Sequence, residues 1–237
     1  ALILVAFAPA FIVLGVRALF AAQVDRLPVD ILPYGNYYNG ISLVILAFAG
    51  LISPELLCLD RRDRVLSLYF ATAVSRRQYV AGKLLAAAVP LGLVTLLPVL
   101  FLFVGNLLFA AHPLAYLGDH WRTVPRLLLA GVVIAAYYAL IGLAIASLTP
   151  RRPVAMAGYL GLLIVPSFLA GILVDAFETA RWAEHVALPA VPIIISERLH
   201  GAGADDPTAT WTWWLEAAVV GAVCLAVLAS RYRGEDQ

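Results

Sequence analysis

The chain is poor in charge, in cysteine and in the motifs that mark catalytic sites. Only 13% of its 237 residues are Asp, Glu, Lys or Arg and 63% are hydrophobic, whereas an ordinary soluble domain is about a quarter charged. So few charges cannot cover a water-facing surface, which excludes a soluble globular domain. The two cysteines, Cys58 and Cys224, lack ligand-like neighbours. That excludes a disulfide framework or a zinc site and leaves them as small hydrophobes, Cys58 at a membrane face and Cys224 inside a span. No HExxH is present, Gly40-Ile41-Ser42-Leu43 lacks the second glycine of a serine-hydrolase elbow, and no histidine falls within an apolar run to act as a base. Around Gly82-Lys83, Arg77 and Leu84 stand where a phosphate loop needs a glycine and a Ser or Thr. The chain is therefore read as neither an enzyme nor a nucleotide binder, and no metal site is expected. Nucleic acid is excluded as a partner because the basic residues sit at span ends with no basic surface domain around them.

What is present is hydrophobicity collected into blocks. Mean hydropathy is +0.92. Six segments, at about 1–20, 37–57, 84–109, 125–148, 154–174 and 211–230, approach or exceed the roughly 20 residues that cross a bilayer as a helix. The fold class that follows is all-α, a polytopic membrane protein forming a single transmembrane domain over residues 1–237. The third segment, at about 39 Å of helix, contains Pro90 and Pro98 and predicts a tilted or bent span. The apolar opening predicts a further cytoplasmic segment ahead of residue 1.

Basic residues fix the expected orientation. Arg61, Arg62, Arg64, Arg76, Arg77 and Lys83 fall in the connection 58–83, Arg151 and Arg152 in the connection after the fourth span, and Arg231 and Arg233 in the tail. The opposite connections carry most of the acids and all four histidines, His112, His120, His185 and His200. The positive-inside rule then predicts both termini in the cytoplasm of a cell whose cytoplasmic membrane the chain spans. Tyr34, Tyr37 and Tyr38, and Trp211, Trp213 and Trp214, are placed as aromatic belts where the second and sixth spans begin. The outer connection 175–210 is about 36 residues long, and its apolar middle, 187–195, is too short to cross, so it is expected to be re-entrant or interfacial.

The connection 58–83 is the most distinctive stretch. Asp60 and Arg64 stand at i, i+4 and can pair on one helix face. Val65, Leu68, Tyr69 and Phe70 are apolar yet outside the membrane, with no local core to enter. Two roles fit: a positive-inside anchor with an interfacial helix, or a docking element for a cytoplasmic partner. Exposed apolar residues rimmed by charge favour docking. The docking residues are then Asp60, Arg61, Arg62, Asp63, Arg64, Val65, Leu68, Tyr69, Phe70, Ser75, Arg76 and Arg77.

The segment ISPELLCLDRRDRVLSLYFATAVSRRQYVAGKLLA resembles the signature region of type-2 ATP-binding-cassette (ABC) exporter permeases. The matching positions are Glu55, Arg61, Arg62, Leu66, Leu68, Ser75, Arg76, Tyr79, Gly82 and Lys83. Arg64-Val65 stands where that family often has Gly-Thr, and Ala73 where it often has proline. The resemblance implies a permease subunit whose loop 58–83 carries a cytoplasmic coupling helix. That loop docks onto a separate ABC ATPase present in two copies, which holds ATP and Mg while this chain binds no cofactor. It also implies a second permease, identical or homologous, with the pathway between the two copies lined by the second and fifth spans. The mostly apolar spans favour a hydrophobic or amphipathic cargo. The alternative is a membrane scaffold or channel-like subunit without energy coupling, although no filter-like polar ring marks a channel.

Three polar residues fall in or near spans and are functional candidates on cost grounds. Glu55, after Pro54, is expected either to serve function or to pair with Arg61 or Arg62 at the interface. Asn106 is expected to hydrogen-bond a neighbouring helix, and Glu216 to reach outer water beside the tryptophans.

Overall fold

A computed structural model describes residues 6–8, 10–15, 34–62, 75–110, 112–176, 181–201 and 209–233. The described secondary structure is helical throughout, as expected for an all-α polytopic membrane protein. An apolar helical piece at Ala6–Gly15 lies within the first expected span, most of which falls outside the described residues. The elements that follow are α1 (Tyr34–Arg62), α2 (Arg76–Leu108), α3 (Pro113–His120), α4 (Thr123–Ala146) and α5 (Arg152–Ala176), then a 3-10 turn (Arg181–Val186), α6 (Ala190–Leu199) and α7 (Thr210–Arg233). Among them α1, α2, α4, α5 and α7 are long and apolar enough to span a membrane.

Two helices run well past the hydrophobic blocks from which they were expected. α1 continues to Arg62, and α2 starts at Arg76 rather than near Leu84. The reason for the early start is local. Ser75 and Gln78 form a capping box, with the Ser75 hydroxyl accepting from the Gln78 backbone N–H and the Gln78 side chain accepting from the Ser75 backbone N–H. α2 then runs as one helix through Pro90 and Pro98 for 33 residues, about 50 Å, which is longer than a 30 Å hydrocarbon layer. The short α3, with Pro113 at its start, was not expected from the sequence.

α4 is the hub, packing against α1, α2, α5, α6 and α7. Its central position follows from sequence: small residues on several sides let neighbours approach closely. At Gly142 a Cβ would collide with Ser53 of α1, and at Gly131 it would press on Leu96 of α2 and Tyr38 of α1. Thr95 Oγ1 of α2 donates to the Gly131 carbonyl at 3.1 Å. By contrast α5 and α7 keep most of their apolar surface outward, as Ile164, Val165, Phe168, Val219 and Val223 illustrate.

The aromatic belts correct themselves in three dimensions. Tyr34, Tyr37 and Tyr38 are buried, as is Trp213, while Trp211 stays exposed. The three tyrosine hydroxyls have polar partners inside the bundle, so the hydrogen-bonding end that would seek interfacial water is satisfied internally.

Residues 181–199 do not lie across the end of the bundle. Tyr137 Oη donates to the Leu188 carbonyl at 3.0 Å and Tyr138 Oη to the Pro189 carbonyl at 2.9 Å. Tyr137 lies fourteen residues, about 21 Å, along α4 from Thr123. The 3-10 turn therefore leads in, residues 188–189 form the tip, and α6 leads out with Val191, Ile193 and Ile195 buried. Residues 181–199 thus fold back into the bundle, and the two tyrosine hydroxyls satisfy carbonyls at the irregular tip.

Candidate functional site

The site is built where α1 and α2 flank residues 63–74. Asp60, two residues before the end of α1 at Arg62, receives Lys83 Nζ at 2.6 Å and the Tyr79 hydroxyl at 2.7 Å on the same oxygen. Lys83 also donates to the Leu56 carbonyl at 2.9 Å and lies over the Tyr79 ring. Tyr79 and Lys83 are four residues apart on α2, so they share a face, and that face meets α1. Beyond them the Tyr79 ring packs edge-on against Tyr232 near the end of α7. The three helices are thus tied at one level. Asp60 and Lys83 side chains are only 14% and 20% exposed. In such a place losing one partner strands a charge, which typically costs about 3–5 kcal/mol for a fully buried pair.

Asp60 therefore pairs with Lys83 across the helices, while the expected i, i+4 partner Arg64 lies outside the described residues. Asp63, Arg64, Val65, Leu68, Tyr69 and Phe70 lie outside the described residues, as does the expected coupling helix. The backbones of Arg61, Arg76 and Arg77 are helical, and nothing further is described of their side chains. Arg62 is exposed, and Ser75 caps α2. Glu55 pairs with Arg152 of α5 at 3.2 Å, a partner that the sequence did not suggest. The reason is tertiary: the start of α5 packs beside α1, 97 residues away in sequence. Both side chains are about half exposed, and such pairs contribute roughly 0–1 kcal/mol. Cys58 is buried, its thiol directed at the Ala146 and Thr149 carbonyls at the end of α4.

At the opposite end two further clusters stand. Asn106 Nδ2 of α2 donates to the Tyr34 hydroxyl of α1 at 2.9 Å, and that hydroxyl meets the Tyr116 hydroxyl of α3 at 3.1 Å. Glu216 is mostly shielded and keeps some exposure. It receives His185 Nδ1 at 2.7 Å, with its side chain 17% exposed, while the His185 ring stacks on Trp213. The backbone of the 3-10 turn carries His185 onto α7. His200, at the end of α6, is held below the ordinary histidine value by burial, with Arg126 adding to that effect and the Ser196 carbonyl opposing it.

A groove of about 270 Å³ opens between α1, α5 and α6, where Asn39, Ser42, Ser167 and Glu197 interrupt an otherwise apolar lining. Among the described residues no three His, Cys, Asp or Glu side chains group to hold a metal ion.

Sequence reasoning quoted Tyr79 and Lys83 as part of a pattern but gave neither a partner. The spacing of Tyr79 and Lys83 on one face, opposite a lone acid at the end of the preceding span, was the available signal. Arg152, His185, Tyr137 and Tyr138 gave no such signal, because their partners are remote in sequence. A family model described as ABC-2 family transporter protein matches residues 1–191. No curated protein matches the chain.

Proposed function

This chain belongs to the ABC-2 family of transporter proteins, and from that premise we propose that it is the permease of an exporter driven by two copies of a separate ABC ATPase. The family makes it a multi-pass membrane subunit of an ABC transporter that works with an ATPase. The proposal adds outward direction, a second permease, and docking of the ATPase on residues 60–77, with both termini in the cytoplasm and Leu68 and Tyr69 as apolar anchors.

The observation that carries this reading is the tie of Asp60 to Tyr79 and Lys83 at the base of the loop. A flexible base would dissipate a push on the loop. A base in which α1 and α2 are joined by a shielded ion pair transmits the push to both helices together, and Tyr232 extends it to α7. α1 leans on α4 through the close contact at Gly142 and Ser53, so displacement of the pair bears on the hub. The pathway is assigned to the interface between two copies, along α1 and α5. The polar residues Asn39, Ser42 and Ser167 on those helices support that assignment, and an amphipathic cargo suits a groove of this mixed lining.

Co-expression of the chain with its genomic neighbours tests the proposal. An ATPase subunit is expected to copurify with it and to be lost when residues 63–74 are replaced by a Gly/Ser linker. Failure to capture any nucleotide-binding subunit overturns it. Orientation is tested by placing a cysteine at Ser67 and labelling intact cells. Both native cysteines are buried, so background is low, and labelling from the outside overturns the cytoplasmic placement.

A further inference from the structure

We propose that the cavity between the end of α1 and the turn joining α4 to α5 seats the headgroup of an anionic phospholipid. The cavity holds about 450 Å³. Arg62, Arg151 and Arg152 stand around it, while Cys58, Leu59 and Val154 supply an apolar wall. The Cys58 thiol is turned onto backbone carbonyls, so the wall carries no reactive group of its own. Glu55 offsets one of the cations by pairing with Arg152. Arg151 is exposed, and its guanidinium has no partner among the described residues. Among the described residues that line it, the site therefore keeps an excess of positive charge.

Depth selects the ligand. Leu59 is one residue from the end of the candidate span Asn36–Asp60, and Arg152 is the first residue of the span Arg152–Ala176. The cavity lies at the level where hydrocarbon gives way to headgroups. Guanidinium forks match phosphate oxygens two at a time, and basic pockets between spans are where anionic headgroups bind. A free phosphate ion would use the arginines and leave the apolar wall without a role. A phospholipid uses both, its phosphate on the arginines and its glycerol and first methylenes along Leu59 and Val154. The assignment does not depend on direction of transport or on an ATPase.

The test is native mass spectrometry of the full chain in detergent, loaded with phosphatidylglycerol or with phosphatidylcholine. Phosphatidylglycerol is expected to be retained several-fold better. Arg151→Ser is expected to lower that retention about fivefold, the usual worth of one basic side chain at a membrane surface. Val154→Asp, at an exposed position where folding is not at risk, is expected to lower it as well. Equal retention of the two lipids, or unchanged retention in both variants, overturns the proposal. Displacement of the lipid by low-millimolar inorganic phosphate overturns it in favour of a free-anion site. Loss of ATPase capture in Arg151→Ser with lipid retention unchanged overturns it in favour of a protein contact.

Discussion

Lys83 Nζ lies 2.6 Å from Asp60 Oδ2, and this pair joins the two helices that flank residues 63–74. The Tyr79 hydroxyl donates to the same carboxylate oxygen, so one acid at the end of α1 collects two donors from one face of α2.

Removing either member leaves the other shielded and alone. Asp60→Asn and Lys83→Met are each expected to cost about 2–4 kcal/mol, below the fully buried case because both side chains keep some exposure. The double variant is expected to cost less than the sum of the two, since the second change removes the stranded charge. Thermal unfolding in detergent checks both. Strict additivity would mean the two groups do not interact.

Leu68→Asp with Tyr69→Asp places charge where apolar anchors are proposed. Membrane insertion is expected to stay intact while ATP hydrolysis no longer drives transport, read in vesicles that contain the partner ATPase. Transport at the unaltered rate in that double variant would remove the docking role from these two residues.

The segment 181–199 is held to α7 by His185 and Glu216. Glu216→Leu keeps the apolar character of the span and deletes the acceptor. Amide exchange across residues 181–199 is expected to speed up by about tenfold, the equivalent of some 1.4 kcal/mol of local stability. Exchange elsewhere should hold, and an unchanged rate in 181–199 would show that the tyrosine bonds to Leu188 and Pro189 suffice.

Two glycines separate close approach from mere flexibility. At Gly142 an added Cβ meets Ser53, whereas at Gly171 nothing lies within 4 Å. Gly142→Ala is expected to destabilise by about 1–3 kcal/mol through overpacking. Gly171→Ala is expected to be neutral or to gain up to about 1 kcal/mol from helix propensity. Melting temperatures that fall equally in both would place the effect in the backbone rather than at the α1–α4 contact.

His200 carries a pH dependence. Its Nδ1 faces the Ser196 carbonyl, and its Nε2 is buried without a hydrogen-bond partner among the described residues. With the folded value below 6.5, the unfolded chain binds this proton more readily. The neutral ring's contribution is complete above about pH 6.5 and is lost as pH falls from there through the lower folded value. His200→Phe is expected to flatten the acid side of the stability profile. A profile of the same slope in that variant would assign the acid loss to other groups.

Sequence by itself determined the class of the molecule. Apolar blocks of span length demand helices in a bilayer, because an unpaired backbone has no water to turn to there. The ordering of charge made the connection 58–83 stand out, and the pattern from Glu55 to Lys83 pointed to the family before any coordinate did. The Ser75 cap was not read from the sequence, although it needs only neighbours three residues apart.

Tertiary structure alone decided which polar groups meet. Glu55 found Arg152, Glu216 found His185, and Asp60 found Lys83, across separations of 97, 31 and 23 residues. Periodicity reports which face of a helix is apolar, but it carries no information on which other helix that face will touch. The same limit explains the tyrosines and Trp213, which were read as belts and are core. A ring with one polar end satisfies a membrane boundary and a buried acceptor equally well, and only the packing of the bundle chooses between them.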